Sequence, residues 1–137
     1  MQQEQQVNIL DVITEMRSVQ HQSKRFMERL TEDAPLSPNH VMLLMDLKLS
    51  GSMRITEISE RFSVTAGAAT SMCDKLEEQQ LVYRIRHKVD RRVVQVALTA
   101  EGEKVVDDIF AALPQEKLQA MLDVFKQIHS LMATIID

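Results

Sequence analysis

Apolar residues return every three or four positions over long stretches of this chain, which is the spacing of one face of a helix. Residues 7–31 show the pattern, and so does the segment that follows Pro114 at the other end. Between them, Ser37 followed by Pro38 is typical of a helix start. The helix that it opens is expected to stop near Ser50-Gly51. The pattern predicts a mainly helical chain with a long helix at each end.

Two shorter helices are predicted in the middle of the chain. Residues 53–55 could form a very short strand, after which Thr56 is the expected cap of a helix that carries Ile58 and Phe62. Thr65 is the expected cap of the next helix. Its inward residues are predicted to be Ala69, Met72, Cys73 and Leu76. Two short helices joined by so brief a connection are typical of a helix-turn-helix.

The apolar period then changes from 3.6 to 2, which indicates strands. The segment LVYRIRH places Leu81, Tyr83 and Ile85 on one face and Val82, Arg84 and Arg86 on the other. A second strand is predicted in RRVVQVALT, with a hairpin tip at residues 88–91 between the two. Thr99 is then the expected cap of a helix over residues 100–113, which Pro114 ends. The sequence predicts a mainly α fold with a small β-hairpin.

The composition fits one globular domain. The chain has 137 residues, of which 45% are hydrophobic and 26% are charged, enough to bury a core and remain in solution. A single cysteine excludes an internal disulfide. No run of about 18 apolar residues exists to span a membrane, and the N-terminus MQQEQQVNIL lacks the regions of a signal peptide. We expect a cytoplasmic protein that does not associate with membranes.

The charge is distributed unevenly along the chain. The formal net charge is −4, yet residues 81–95 hold five basic side chains against one acidic residue. The basic residues are Arg84, Arg86, Lys88, Arg91 and Arg92, and the acidic one is Asp90. Because nearby charges dominate in salt, such a segment can track the phosphates of double-stranded DNA despite an acidic body. The alternative is a solvated hairpin that is rich in arginine.

The two terminal helices carry broad apolar faces that a domain of this size does not easily cover. Packing them together, and against a second copy of themselves, would bury both faces in a symmetric homodimer. The alternative is that each helix completes the core of the monomer.

Specific strings of residues occur in a fixed order between positions 53 and 102. They are ITEISERFSVTAGAATSMCDKLEEQQLV, then R, then DRR, then VALTAEG. This order resembles that of the MarR family of winged-helix transcription regulators. The resemblance implies a winged helix-turn-helix core and linking helix over residues 37–113, with dimerisation helices at 1–34 and 114–137. It also implies a sequence-specific regulator, usually a repressor, which binds a pseudo-palindromic operator as a homodimer.

The resemblance also assigns candidate DNA contacts. On the recognition helix they are Thr65, Ala66, Gly67, Thr70, Ser71 and Lys75. In the wing, Asp90 would orient the tip, Arg92 would reach the minor groove, and Arg91 and Lys88 would meet phosphates, with Arg86 in the same basic hairpin. Arg84 would either pair with an acidic residue of the recognition helix or approach the DNA backbone. The competing interpretations are that the small residues only permit close helix packing and that the Asp-Arg pair only stiffens a turn.

One position departs from the family pattern. The family usually has glycine before the Leu-Val that opens the wing strand, and this chain has Gln80. Glycine takes a left-handed, helix-ending conformation at little cost. Glutamine would either pay about 1 kcal/mol in that conformation or require another cap.

Regulation by a small molecule is a further implication of the resemblance. Many relatives respond to phenolic or other aromatic ligands, and the candidate pocket residues here are His21, His40 and Met45, each of which could equally be a surface or packing residue. Cys73 is expected to face inward, where a cysteine is usually inert. The four histidines are scattered, so no metal site is expected, and no cofactor is implied.

Two other classes of function compete with DNA binding. The acidic body allows a winged helix that binds proteins, although the basic hairpin argues against it. No GxSxG, phosphate loop or metal-ligand spacing is present, so we expect neither catalytic residues nor an enzymatic activity.

Overall fold

The computed structural model describes residues 5–136, which form six helices and three short strands. In chain order these are α1 (Ile9–Leu30), α2 (Pro38–Ser50), β1 (Ser52–Arg54), α3 (Ile55–Phe62), α4 (Ala66–Glu78), β2 (Val82–Arg86), β3 (Val94–Leu98), α5 (Ala100–Ala111) and α6 (Gln115–Ile136). The predicted mainly α fold with a β wing is confirmed. Residues 1–4 and Asp137, which the predicted dimerisation segments include, lie outside the described residues.

Three predicted helix caps are confirmed. The side chains of Ser37, Thr65 and Thr99 accept hydrogen bonds from the backbone N–H of the third residue beyond each, at 3.4, 3.1 and 3.1 Å. Each bond satisfies one of the N–H groups that a helix start leaves without an internal partner. These caps fix where α2, α4 and α5 begin.

The predicted cap of α3 is wrong. The helix begins at Ile55, with Arg54 at the N-cap position, so Thr56 lies inside the first turn. The side chain of Glu57 accepts a hydrogen bond from the backbone N–H of Arg54 at 3.1 Å. A glutamate that reaches back in this way stabilises a helix start without a hydroxyl at the cap.

The three strands form one antiparallel sheet in the order β1-β3-β2. The hairpin of β2 and β3 is the predicted one, and the alternation along β2 is confirmed. However, Val82 is buried, whereas Tyr83 and Ile85 are 47% and 38% exposed. The reason is that α4 packs on the face of β2 that carries Val82 and Arg84, so the more apolar face is the one turned away.

The core lies between α2, α3, α4 and the sheet. One stripe of α4, formed by Ala69, Cys73 and Leu76, is fully buried, as predicted, and Met72 is partly buried beside it. The rest of the buried cluster consists of Leu43, Leu44, Leu47, Met53, Ile58, Leu81, Val82, Val96 and Val106. The burial of this stripe fixes which face of α4 points to solvent.

The terminal helices pack on each other and leave wide apolar faces exposed. The rings of Phe26 in α1 and Phe125 in α6 meet edge to face, with centroids 5.5 Å apart. Neither helix has a buried residue within the described part of the chain. The exposed apolar side chains are Ile9, Leu10, Val12, Ile13, Met16 and Val19 on α1, and Leu122, Val124, Phe125, Ile128, Leu131, Met132, Ile135 and Ile136 on α6. Within residues 5–136, no helix is both long and apolar enough to cross a membrane.

The chain changes direction sharply between α4 and β2. Gln80 adopts a left-handed conformation with φ of 61°. The backbone N–H of Gln80 donates to the carbonyl of Glu77, and that of Leu81 donates to the carbonyl of Leu76, at 2.9 and 3.0 Å. This pair of bonds is the Schellman helix ending. Glutamine therefore occupies the conformation that glycine would adopt at little cost.

The same turn supports the start of α5. The hydroxyl of Thr99 donates to the Gln80 carbonyl at 2.6 Å. Gly102 lies so close to the Leu81 carbonyl oxygen that a Cβ atom would collide with it. Glycine is required here by the close approach of two backbones, and α5 is held directly against the turn that leads into the hairpin.

We expect Gln80→Gly to stabilise the protein by about 1 kcal/mol, because it removes the strain of a side chain in the left-handed region. Chemical denaturation measures the change. The matched control is Gln79→Gly, since Gln79 has an ordinary φ of −83°. There the added backbone freedom should destabilise by about 0.5–1 kcal/mol. Equal effects of the two substitutions would contradict the explanation.

Candidate nucleic-acid interface

The helix pair α3 and α4 is joined by a three-residue turn. The backbone at Ser63 is left-handed, with φ of 52°, and the N–H of Val64 donates to the Ser59 carbonyl at 3.0 Å. Ile58 and Ala69 are both fully buried in the common core. This arrangement is a helix-turn-helix whose second helix is α4.

The N-terminal half of α4 presents only small side chains to solvent. Ala66, Gly67, Ala68, Thr70 and Ser71 are all exposed, while the buried stripe of the helix faces the core. Thr65, also exposed, uses its side chain to cap the helix. A surface with such short side chains lets a helix approach another molecule closely.

Lys75 lies further along the exposed part of α4. Across from it, His40 in the first turn of α2 is half-buried. Burial, with a smaller contribution from the charge of Lys75, lowers the pKa of His40 below its ordinary value. The lowered pKa favours the uncharged form of the His40 imidazole.

Arg84 extends from β2 onto α4. Its Nη2 atom lies 2.5 Å from Oδ1 of Asp74 and 3.5 Å from the carbonyl oxygen of Thr70, and its Nη1 atom lies 3.5 Å from Oε1 of Glu77. The hydrogen bond with Asp74 raises the pKa of Arg84. Of the two predicted possibilities for Arg84, the structure has the pairing with acidic residues of α4.

The hairpin tip is held by Asp90 and Arg92. Oδ1 of Asp90 accepts hydrogen bonds from the backbone N–H and from Nε of Arg92, at 3.0 and 3.1 Å. Oδ2 accepts a third from Nη2 at 3.3 Å. These bonds hold the pKa of Asp90 below its ordinary value. The Arg92 side chain is nevertheless 92% exposed, so the pair leaves the arginine at the outer surface of the tip.

The other basic residues of the hairpin are also exposed. They are Arg86, Lys88 and Arg91, and a bond of 3.5 Å from Nη1 of Arg86 to the Arg91 carbonyl links the two sides of the loop. We call Arg86, Lys88, Arg91 and Arg92 the basic tip. The basic tip follows α4 in the chain, after the tight turn at Gln80 and the strand β2.

The predicted pocket residues His21, His40 and Met45 do not line the cavity between α1 and the start of α2. His21 is exposed on α1, and Met45 in α2 packs against the core cluster. A cavity of about 460 Å³ lies between α1 and the start of α2, lined by Lys24, Met27, Glu28, Ser37, Pro38, Asn39 and Met42. The cavity lies where α1 meets the start of α2, and its lining includes a charged side chain of each sign and two methionines.

The sequence alone did not identify which acidic residues of α4 pair with Arg84. Asp74 and Glu77 follow Thr70 at intervals of four and three, which places all three on one stripe of α4. Arginine at the facing strand position then completes the contact. The spacing of Thr70, Asp74 and Glu77 shows that they share one stripe. It identifies them as partners of Arg84 only once β2 is known to pack along that stripe.

Comparison with known proteins agrees with this geometry. A sequence model described as MarR family matches residues 36–94. Two relatives from Bacillus subtilis are the transcriptional repressor MdtR and the uncharacterised transcriptional regulator YpoP. MdtR is 36% identical over 58% of this chain and 52% of its own length. YpoP is 33% identical over 70% of this chain and 67% of its own length. The relatives are thus named as regulators, not as enzymes.

Solved structures share the architecture. The B. subtilis YusO protein is 25% identical, with a TM-score of 0.59 over 89% of this chain and 94% of YusO. A mutant of MarR from E. coli, crystallised with operator DNA, has a TM-score of 0.70 over 96% of this chain and 100% of its own. At 19% identity, that second likeness shows the fold alone.

We expect Cys73 to be unreactive while the protein is folded. The residue is fully buried, and burial raises the pKa of its thiol to about 11. Because the thiolate is the nucleophile, alkylation at pH 7.5 should be at least about a hundredfold slower than for free cysteine. Mass spectrometry after timed iodoacetamide treatment measures the rate. Fast modification of the native protein would refute the buried placement, and the protein in denaturant is the positive control.

Proposed function

The chain belongs to the MarR family of winged-helix, DNA-binding transcription regulators, and from that premise we propose that it represses transcription as a homodimer on a pseudo-palindromic operator. The observation that carries the proposal is that one folded unit, the winged helix-turn-helix, exposes two different surfaces. One is the small-residue face of α4, and the other is the basic tip. A duplex offers two grooves, and each surface suits one of them.

The recognition helix in this proposal is α4. Its contacts to the major groove are Thr65, Ala66, Gly67, Thr70, Ser71 and Lys75. The hydroxyls of Thr70 and Ser71 can bond to phosphates or base edges, and Lys75 adds a charge. Before Asp74, the helix has no side chain long enough for a two-point hydrogen bond to a purine. Part of the specificity therefore comes from backbone contacts and DNA shape.

The wing supplies the minor-groove contact. Arg92 is exposed at the tip and oriented by Asp90. An arginine in this setting prefers the narrow and strongly negative minor groove of A·T-rich DNA. Arg91, Lys88 and Arg86 then meet the flanking phosphates, whose neutralisation releases counterions and makes binding sensitive to salt.

The terminal helices form the dimer interface in this proposal. α1 and α6 each run for 22 residues, and their exposed apolar faces are the largest in the described chain. Water contact with so much apolar surface is unfavourable, and a second copy can cover it with the same patch on both partners. Two recognition helices at a fixed separation then read two half-sites.

Repression would be steric, with the dimer occupying a promoter in the cytoplasm. The relative MdtR is named as a repressor. The release signal in this scheme is a small aromatic effector, because the cavity between α1 and α2 lies where a dimer helix meets the start of the winged-helix core. A ligand that favours another separation of the two winged units would weaken operator binding, since the contacts in both half-sites could no longer be made together.

Selection from a random-sequence duplex pool tests the function without knowledge of the operator. We expect enrichment of an inverted repeat that binds tightly in excess competitor DNA and loses affinity steeply with salt. Arg92→Ala should weaken binding to that duplex by at least about thirtyfold, since each of the two copies loses a groove contact of about 1–3 kcal/mol. Fluorescence anisotropy measures the affinities.

Arg17→Ala is the control for Arg92→Ala. Arg17 is an exposed arginine on α1, away from the hairpin. It should leave the affinity within about twofold, and both variants should retain the wild-type helical content and melting temperature. An Arg92→Ala protein that binds as the wild type does would overturn the wing assignment. A pool with no enriched sequence would overturn the specific regulator.

The dimer prediction is tested by a matched pair of leucine substitutions. Leu131 in α6 is 65% exposed and Leu49 at the end of α2 is 85% exposed. Leu131→Asp should convert the dimer to monomer, because two unpaired carboxylates would be buried at a cost of several kcal/mol. Leu49→Asp should remain dimeric. Sedimentation velocity measures the mass, and a monomeric wild type would contradict the proposed interface.

A further inference from the structure

We propose that Arg84 is a positioning residue that fixes the wing against the recognition helix and does not itself contact DNA. This inference rests on the proposed function. It reassigns one residue of the basic hairpin from contacting DNA to holding the two DNA-reading elements in register.

The contacts of Arg84 follow one stripe of α4. From β2, its guanidinium reaches the Thr70 carbonyl oxygen, the Asp74 carboxylate and the Glu77 carboxylate, at 3.5, 2.5 and 3.5 Å. Positions separated by four and then three lie above one another on a helix. A planar group with several N–H donors can bridge them, whereas the point charge of a lysine cannot hold them all.

The exposure of the arginines separates their roles. The Arg84 side chain is 22% exposed, while that of Arg92 is 92% exposed. Partial burial strengthens an ion pair relative to a fully solvated one. Turning Arg84 towards a phosphate would break these contacts and leave Asp74 and Glu77 uncompensated on a helix that the proposed function places against DNA.

The position of Arg84 in the hairpin gives the contact its effect. Arg84 pairs with Val96 in the middle of the ladder between β2 and β3. The basic tip begins two residues later in the chain, at Arg86. A hairpin that is tied to α4 at this point has a fixed angle to it. Simultaneous insertion of α4 and Arg92 into neighbouring grooves requires that angle, because binding contacts depend on preorganised geometry.

A double-mutant cycle tests the proposal. The probes are the duplex enriched from the random pool and a scrambled duplex of equal length, and the readout is the ratio of their dissociation constants. Arg84→Met keeps the apolar stem and removes the guanidinium. We expect this ratio to fall about tenfold, and the slope of log affinity against log salt to stay unchanged because no phosphate contact is lost. In the Arg92→Ala background the same change should lower the ratio by less than about twofold, since the wing contact is already absent.

Two comparisons keep the test decisive. Arg91→Ala should reduce the salt slope by about 1 per copy, as a phosphate contact does. If Arg84→Met folds poorly, Asp74→Asn combined with Glu77→Gln removes the same contact from the helix side and should show the same coupling to Arg92. This double variant also loses two negative charges, which raises its affinity for any duplex. Because both duplexes gain equally, the ratio of their dissociation constants is free of this effect.

Three results would overturn the inference while the proposed function stands. In the first, Arg84→Met lowers the salt dependence of the affinity as much as Arg91→Ala does. In the second, Arg84→Met lowers the ratio of the dissociation constants equally in the wild-type and the Arg92→Ala proteins. In the third, Arg84→Met leaves that ratio unchanged. A wild-type protein that enriches no sequence would overturn the proposed function, and this inference with it.

Discussion

The burial of one face of α4 is the constraint on which the rest of the molecule depends. Ala69, Cys73 and Leu76 are fully enclosed by α2, α3 and the sheet. A rotation of the helix by one residue would drive Thr70 or Asp74 into a close-packed apolar core, at a cost of several kcal/mol. The core thereby determines that the small-residue face of α4 points to solvent. The thiol of Cys73 is part of this packing.

The turn after α4 carries that orientation into the neighbouring elements. The left-handed residue Gln80 redirects the chain into β2, its carbonyl receives the Thr99 hydroxyl, and the adjacent Leu81 carbonyl lies against Gly102. The helix α4, the hairpin and α5 therefore meet at one point. Arg84 adds a second connection between helix and hairpin, further from the turn. Two separated points of attachment define an angle, whereas one alone would act as a pivot.

The terminal helices differ from the central unit because most of their apolar side chains are not buried within the monomer. Apart from the contact between Phe26 and Phe125 and a few partly buried neighbours, most of their apolar side chains are exposed to water. A monomer in this state gains little stability from two of its longest elements. Under the proposed function the missing stabilisation comes from the partner subunit, so folding of α1 and α6 and dimer formation are coupled and depend on protein concentration. A ligand bound beside α1 could then alter the dimer without touching DNA.

The amino-acid sequence by itself determined the order and type of the elements, because periodicity and capping residues are local signals. Ser37, Thr65 and Thr99 start helices where they were expected. At Gln80, where the missing glycine left a strained left-handed residue and another cap as alternatives, the structure has the left-handed residue. Local signals failed where two patterns competed. Glu57 displaced Thr56 in setting the start of α3, and the two faces of β2 gave no sign of which one is buried, which the packing of α4 decided. Only the tertiary structure decided the partner of Arg84, since a choice between phosphate and carboxylate depends on which helix stripe packs along the strand. Long-range packing set that contact, and no pattern within a single segment contains it.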